Sequence, residues 1–235
     1  MEKSKVIMRG CIPCMVAIGI MYGVTLVALC LFQLVSNPLG WSGSDVPDES
    51  VLNYVGIWAT GCVHFVYIIV FYKWFCKRTV DSTVEDMRKH LTKRDLLGLI
   101  ALGVFLQLLV SVLLNYLLPY FPVLNESYQE LYESILPGNS IVAFGVTAFL
   151  APVGEELIFR GVTISVMEEH LSFWIVNVVQ AFLFGLYHMN LVQFLYAFAI
   201  GMVLGSVYKK YRNIKACILV HATINLLANV ISFIG

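Results

Sequence analysis

The sequence predicts an all-α, polytopic membrane helix bundle of about seven transmembrane helices, and three observations lead there. The AVILMFWYC set supplies 59% of the 235 residues against 13% charged, with a mean hydropathy of +0.82. A soluble fold of this size needs far more polar surface to cover its core. The apolar residues gather in runs that match the roughly 20 residues a helix needs to cross a bilayer. Open sheet edges cannot face lipid, and the alternating ten-residue segments of a barrel are absent, so helices are the remaining choice. Seven such spans use about 140 residues, which excludes a separate water-soluble catalytic domain. Net charge is zero and no basic run is long, which argues against a nucleic-acid partner. The lipid bilayer is the first partner the composition implies.

The elements follow in chain order. The first run, 11–35, opens behind Lys3, Lys5 and Arg9; it is too long for a secretory h-region and lacks an A-x-A site, so it is expected to be retained. Cys11-Ile-Pro-Cys14 at its start matches C-x-x-C, but it has no second pair and no βαβ pattern after it. It reads as two small residues at a helix entry, and the six scattered cysteines make no disulfide framework. Asn37–Ser50 is a loop by its Pro, Gly, Asn and Ser content, and it carries Asp45, Asp48 and Glu49. The second run, 51–75, ends among Lys73, Lys77 and Arg78. Its His64 has no polar neighbour at helical spacing and reads as structural, while His90 in the basic link beyond reads as solvated.

The third run, 96–118, starts after Arg88, Lys89, Lys93 and Arg94. Pro119–Gly138 reads as a loop with Glu126, Glu130 and Glu133. The runs 139–167 and 172–189 flank a polar turn at Glu168, Glu169 and His170; 191–208 ends in Lys209, Lys210 and Arg212, and 216–234 follows Lys215. Gly19-x-x-x-Gly23 and Gly201-x-x-x-Gly205 are candidate seams for close helix packing. With a cytoplasmic N-terminus, seven spans place fourteen of the fifteen basic residues inside. The expectation is a multi-pass protein of the cell membrane with its C-terminus outside.

The fifteenth basic residue, Arg160, lies inside the fourth run beside Glu155 and Glu156. Ionisable groups at membrane depth are costly and mark functional sites by default. Glu156 and Arg160 are four apart on one helix face, so they can pair. Glu155 lies about 100° round the helix and has no such partner, which suits a carboxylate that takes a proton from water. A structural ion pair locking two helices explains the same residues. Pro152 can kink the helix just before the pair, and Gly154 and Gly161 permit close approach of neighbours. The fifth run places Phe184 one turn from His188, and the last places His221 and Asn225 four apart. Each motif alone has an ordinary reading as packing or interhelical hydrogen bonding. Together, two carboxylates, an Arg, two His and an Asn exceed what packing requires.

In this order on successive apolar helices, Glu155-Glu156-x-x-x-Arg160, Phe184-x-x-x-His188 and His221-x-x-x-Asn225 resemble the CPBP (CAAX protease and bacteriocin-processing, or Abi) family of membrane proteins. The resemblance runs from Ala151 to Leu227 and is closest to the compact bacterial members. It implies late helices that enclose a polar, water-accessible cavity. On this reading residues 1–138 hold the first three helices and their loops, and residues 139–235 the catalytic core, within one integral membrane domain. Catalytic residues implied are Glu155, Glu156, Arg160, His188, His221 and Asn225, with Phe184 lining the cavity. Glu155 would activate a water that His188 shares, His221 and Asn225 would stabilise the oxyanion, and Glu156 with Arg160 would support the site.

The reaction implied is endoproteolysis of a peptide or protein substrate at the membrane, of prenylated, pheromone or bacteriocin type. Whether a metal takes part is open at this point. No certain cofactor is implied, yet Glu155, His188 and His221 could supply three ligands to a divalent ion such as zinc. The H-E-x-x-H and G-x-G-D signatures of other membrane proteases are absent. Two other functions stay in view: a non-catalytic self-immunity or adaptor protein of the same fold, and a proton-coupled transporter, which the lack of inverted repeats disfavours. One piece of arithmetic is awkward. At about 1.5 Å per residue, Glu155 lies roughly 20 Å from the cytoplasmic end of its helix, His188 about 24 Å along the next, and His221 only about 9 Å beyond Lys215. Convergence therefore requires that the last helix start earlier, near Lys209, or that the helices tilt.

Overall fold

The computed structural model describes residues 2–36, 49–81, 90–135 and 141–234. Of the expected loop Asn37–Ser50, residues 37–48 lie outside them, as do Arg88, Lys89 and the 138/139 boundary, while Glu49 and Ser50 already belong to a helix. Among the described residues there is no strand, and the helices are α1 (Lys3–Ser36), α2 (Glu49–Asp81), α3 (Lys93–Leu117), α4 (Pro122–Ile135), α5 (Ile141–Met167), α6 (Phe173–Tyr187), α7 (Leu191–Tyr211) and α8 (Ile214–Ile234). The chain is a polytopic helical membrane protein: α1, α2, α3, α5, α7 and α8 contain stretches long and apolar enough to cross a bilayer.

α6 is the exception. It has 15 residues, about 22 Å at 1.5 Å per residue against a hydrocarbon core of about 30 Å. The expected run to 189 is cut short because Met189 takes a left-handed backbone (φ 55°), and Asn190 caps the next helix by accepting from the Gln193 amide at 3.0 Å. Arg212 (φ 49°) ends α7 in the same way.

The expected loop at Pro119–Gly138 is overturned over most of its length, since Pro122–Ile135 is helical. Pro at the first position suits a helix start, and Leu124, Ser127 and Leu131 recur at helical spacing. Ser127 pins this helix to α7: its carbonyl accepts from Asn190 Nδ2 at 2.9 Å and its hydroxyl from the Val192 amide at 3.2 Å. The acidic Glu126 and Glu130 on it are exposed.

The basic helix ends lie on one face of the bundle. A capping box starts α3, with Asp95 N–H donating to Thr92 Oγ1 and Thr92 N–H to Asp95 Oδ2. Arg212 after α7 pairs with Glu168 after α5, and Met167 packs on Gly10 at the start of α1. One apolar core is built from α3, α5, α7 and α8 around Leu99, Ile164, Leu204 and Val220; a second is built from α1, α2, α5 and α6 around Ala17, Tyr67, Phe71, Ile158 and Phe184. Cys14 is buried in the second, consistent with packing rather than redox pairing, and no disulfide occurs among the described residues.

Of the two glycine seams, only Gly201 and Gly205 form one. A Cβ at Gly201 would sit 3.1 Å from Ala181, and one at Gly205 would overlap the Asn177 amide, so α6 and α7 touch backbone to backbone there. Nothing lies within 4 Å of a Cβ at Gly19 or Gly23.

Candidate active site

The site begins with the irregular path of α5. Val146–Leu150 and Leu157–Thr163 are π turns within an otherwise α-helical segment. Pro152 has no N–H to give the helix ladder, and just before it the Ala151 amide reaches back five residues to Val146. Beyond the carboxylates, the Ile164 amide likewise reaches Phe159. Such widened turns are common at functional sites because they re-aim side chains without ending a helix. Here they bracket Ala151–Glu156, the short α-helical stretch that carries both glutamates.

Glu155 and Glu156 point to different partners. Glu156 is fully buried, and its Oε1 accepts from Arg160 Nη1 at 2.8 Å and from His221 Nδ1 at 2.8 Å. Arg160, also fully buried, lies over the Phe184 ring at 4.4 Å and extends Nη2 to the Gly201 carbonyl at 3.4 Å. The expected ion pair on one helix face is therefore present, and its carboxylate also fixes an imidazole of α8. Phe184 is the shared wall: its ring meets those of His188 at 4.9 Å and His221 at 5.7 Å, edge to face.

Glu155 faces a cavity of about 510 Å³ that His188, His221 and Asn225 also line. His221 Nε2 is 3.7 Å from Glu155 Oε2. His188 donates from Nδ1 to the Phe184 carbonyl at 2.7 Å, since a carbonyl can only accept. Asn225 donates one amide hydrogen to the Thr147 carbonyl at 2.9 Å, tying α8 to the first π turn of α5. Thr147 Oγ1 lies 3.2 Å from Asn229 Oδ1, a second tie between the same elements. The amide nitrogen of Asn225 has two hydrogens, so one is left for a ligand in the cavity. All seven residues singled out in the sequence thus converge. They do so without an early start to the last helix, which begins at Ile214, so the convergence comes from how α5, α6 and α8 pack and from the widened turns of α5.

Sequence reasoning missed one residue. His64 of α2 is buried, and its Nε2 is 3.5 Å from Glu155 Oε1. Helical spacing along α2 could not reveal this, because the partner comes from another helix. Gly154 allows the approach: a Cβ there would meet Tyr67 at 3.3 Å and the His64 ring at 3.5 Å. His90 is exposed, as expected of a solvated link.

The donor set weighed for zinc, Glu155, His188 and His221, does not form a metal-holding group. Among the described residues no cluster of three or more His, Cys, Asp or Glu side chains has that arrangement.

Comparison with known proteins agrees with the three motifs. Residues 137–227, which contain all of them, match the family model described as type II CAAX prenyl endopeptidase Rce1-like. A curated protein of Bacillus subtilis (strain 168), named "Putative membrane peptidase YdiL", is 24% identical over 208 residues, covering 86% of this chain and 83% of that protein. No solved structure matches the chain. In motif order, in the match over residues 137–227 and in a relative aligned along most of its length, the chain is similar to the CPBP family of CAAX-protease-related membrane proteins.

Proposed function

We propose that the protein is an intramembrane endopeptidase that hydrolyses a peptide bond with a water activated by Glu155. The observation that carries this reading is the division of labour between adjacent carboxylates. Glu156 is committed to Arg160 and His221, whereas Glu155 opens onto the cavity beside histidine nitrogens. A carboxylate held among imidazoles and short of hydrogen-bond donors is suited to take a proton from water.

In the reaction, Glu155 removes one proton as the water oxygen attacks the scissile carbonyl carbon. His188 presents its Nε2 to the same water, because its Nδ1 hydrogen is used by the Phe184 carbonyl. The tetrahedral oxyanion accepts from Asn225 and from His221 Nε2–H, the latter when His221 carries both ring protons and Glu156 balances its charge. Collapse breaks the C–N bond, and the proton held by Glu155 passes to the leaving amine. The family and the named relative support a peptidase. The apolar surroundings support a substrate that lies in or on the membrane, a bilayer-associated peptide or protein. Basic helix ends on one face support a cytoplasmic N-terminus.

Glu155→Gln, His188→Ala and Asn225→Ala, purified in detergent and shown to be folded, test this against a candidate peptide. Glu155→Gln keeps the shape but cannot take a proton, and loss of a general base removes about 10²–10⁴-fold. His188→Ala should be similarly inactive, and Asn225→Ala should lose roughly 10²–10³-fold, as for one oxyanion donor. Cleavage by Glu155→Gln at the parental rate would make the mechanism wrong. A parent that cleaves nothing, with Glu155→Gln still losing immunity in cells, would favour the binding-only protein.

A further inference from the structure

We infer that the cavity holding Glu155 opens towards the face opposite the basic helix ends, so that its substrate is an extended peptide segment presented on the extracytoplasmic side. This inference rests on the proposed hydrolytic reading and the cytoplasmic N-terminus, and it adds the side and the chemical class of the substrate.

The depth of the cavity along each helix carries the argument. On α7 the lining residue nearest the basic end is Ile200, about 14 Å short of Lys209 at 1.5 Å per residue. On α8 it is His221, about 9 Å beyond Lys215. On α5 it is Glu155, about 18 Å short of Met167, and the next residue, Glu168, pairs with Arg212 on the basic face. Each of these helices therefore gives the cavity the half remote from its basic end. At the other limit Gln193 lies near the start of α7, Ser232 near the end of α8 and Leu131 on α4, all half-buried. The α4 sequence has Glu126 and Glu130 and no Lys or Arg, so this rim belongs to the opposite face.

Between the cavity and the basic face, a packed layer is built from described residues. Arg160, Leu204 and Cys217 are fully buried in it. The Cys217 thiol donates to the Leu204 carbonyl at 3.5 Å, tying α8 to α7, and Arg160 reaches the Gly201 carbonyl, tying α5 to α7. A passage through this layer would part buried polar groups from their partners, which is unfavourable. A chain end in the cytoplasm meets the layer before it meets Glu155, whereas a peptide on the other side meets the rim.

The walls fit a peptide backbone. Asn225, Asn229 and Ser232 recur at i, i+4 and i+7 on α8 and all line the cavity. Asn229 donates one amide hydrogen to the Asn225 carbonyl at 2.7 Å and keeps a second. Ser232 donates to the Ala228 carbonyl at 3.0 Å, which leaves its oxygen able to accept. The stripe thus offers both donors and an acceptor, as backbone C=O and N–H groups require. From Asn225 to Ser232 it runs about 10 Å, the length of about three extended residues. Tyr196 and Ile200 of α7 also line the cavity and give side chains an apolar wall. A purely hydrocarbon ligand would leave the amides of the stripe without partners, at a cost in affinity.

The test uses the full chain without its native cysteines, carrying one reporter at a time: Ala228→Cys on the cavity wall, Lys210→Cys on the basic face, or the native Cys217 restored in the packed layer. An impermeant cationic methanethiosulfonate is applied to right-side-out and inside-out membrane vesicles. Ala228→Cys should react from the outside and be protected from the inside, Lys210→Cys should do the reverse, and Cys217 should react from neither. In parallel, an impermeant fluorogenic peptide that the purified parent cleaves should be cut by right-side-out vesicles and spared by inside-out ones. Reaction of Ala228→Cys from the inside, or from neither side, overturns the inference, and so does cutting by inside-out vesicles. The peptide measurement uses the unaltered chain, so it decides the question even if a reporter variant does not fold. A purified parent that cleaves no peptide, or a Glu155→Gln variant that cleaves at the parental rate, overturns the hydrolytic reading instead. The labelling still decides which face the cavity opens to.

Discussion

Replacing Arg160 by Met keeps most of the side-chain volume and removes the cation. Three contacts are lost at once: the 2.8 Å pair to Glu156, the 3.4 Å reach to the Gly201 carbonyl and the stacking over Phe184 at 4.4 Å. Glu156 stays fully buried, with only His221 Nδ1 still facing it. Removing one partner of a buried pair costs about 3–5 kcal/mol, and here Glu156 loses its permanent cation and keeps only the His221 contact. Against a total stability of about 5–15 kcal/mol that is a large share. At roughly 2–4 °C per kcal/mol for a chain of this size, melting should fall by about 6–20 °C. The double variant Glu156→Gln/Arg160→Met has no stranded charge, so it should recover much of that loss, since apolar replacement of a whole buried pair is often neutral. It should stay poorly active, because His221 has lost its carboxylate. Thermal unfolding in detergent, followed by tryptophan fluorescence, measures both. A single variant melting within about 2 °C of the parent, or a double variant no better than the single, would refute the reasoning.

Other outcomes follow from the packing and the charge distribution. Gly205→Ala should cost about 1–3 kcal/mol by overpacking against Asn177, whereas Gly23→Ala, which meets nothing, should cost nothing; detergent melting curves of the two compare them directly. A cysteine placed at the exposed His90 in a cysteine-free background should react with impermeant reagents only after the cytoplasmic side is opened. Labelling from outside intact cells would reverse the proposed orientation.

Much of this architecture was legible because bilayers constrain chains so tightly. Span length and the clustering of Lys and Arg pointed to seven spans, six of which reach spanning length among the described residues while the fifth, α6, is shorter. The Glu156–Arg160 pair was legible because both groups lie on one helix and the period of 3.6 places them together. His64 escaped for the opposite reason: its partner is on α5, and only the packing of α2 against Gly154 brings them together. The helix at Pro122–Ile135 was hidden by flanking Pro, Asn and Gly, although its own apolar spacing is helical. The π turns of α5 have no periodic signature, since they arise where Pro152 and neighbouring helices reshape the backbone. The two Gly-x-x-x-Gly patterns are indistinguishable in sequence, and only the neighbour facing each decides whether a seam forms.

The brevity of α6 bears on how a peptide would reach the proposed site. Its span falls short of the hydrocarbon core by about 8 Å. Lipid beside such a segment thins rather than leave polar backbone in oil. His188 stands at the end of α6, so the dimple brings headgroups and water down towards its imidazole. A peptide resting at the interface then needs only a shallow descent to reach the carboxylate, with no full crossing and no unwinding of a long helix in lipid. The depth of the reaction is set as much by the shape of the surrounding bilayer as by the cavity.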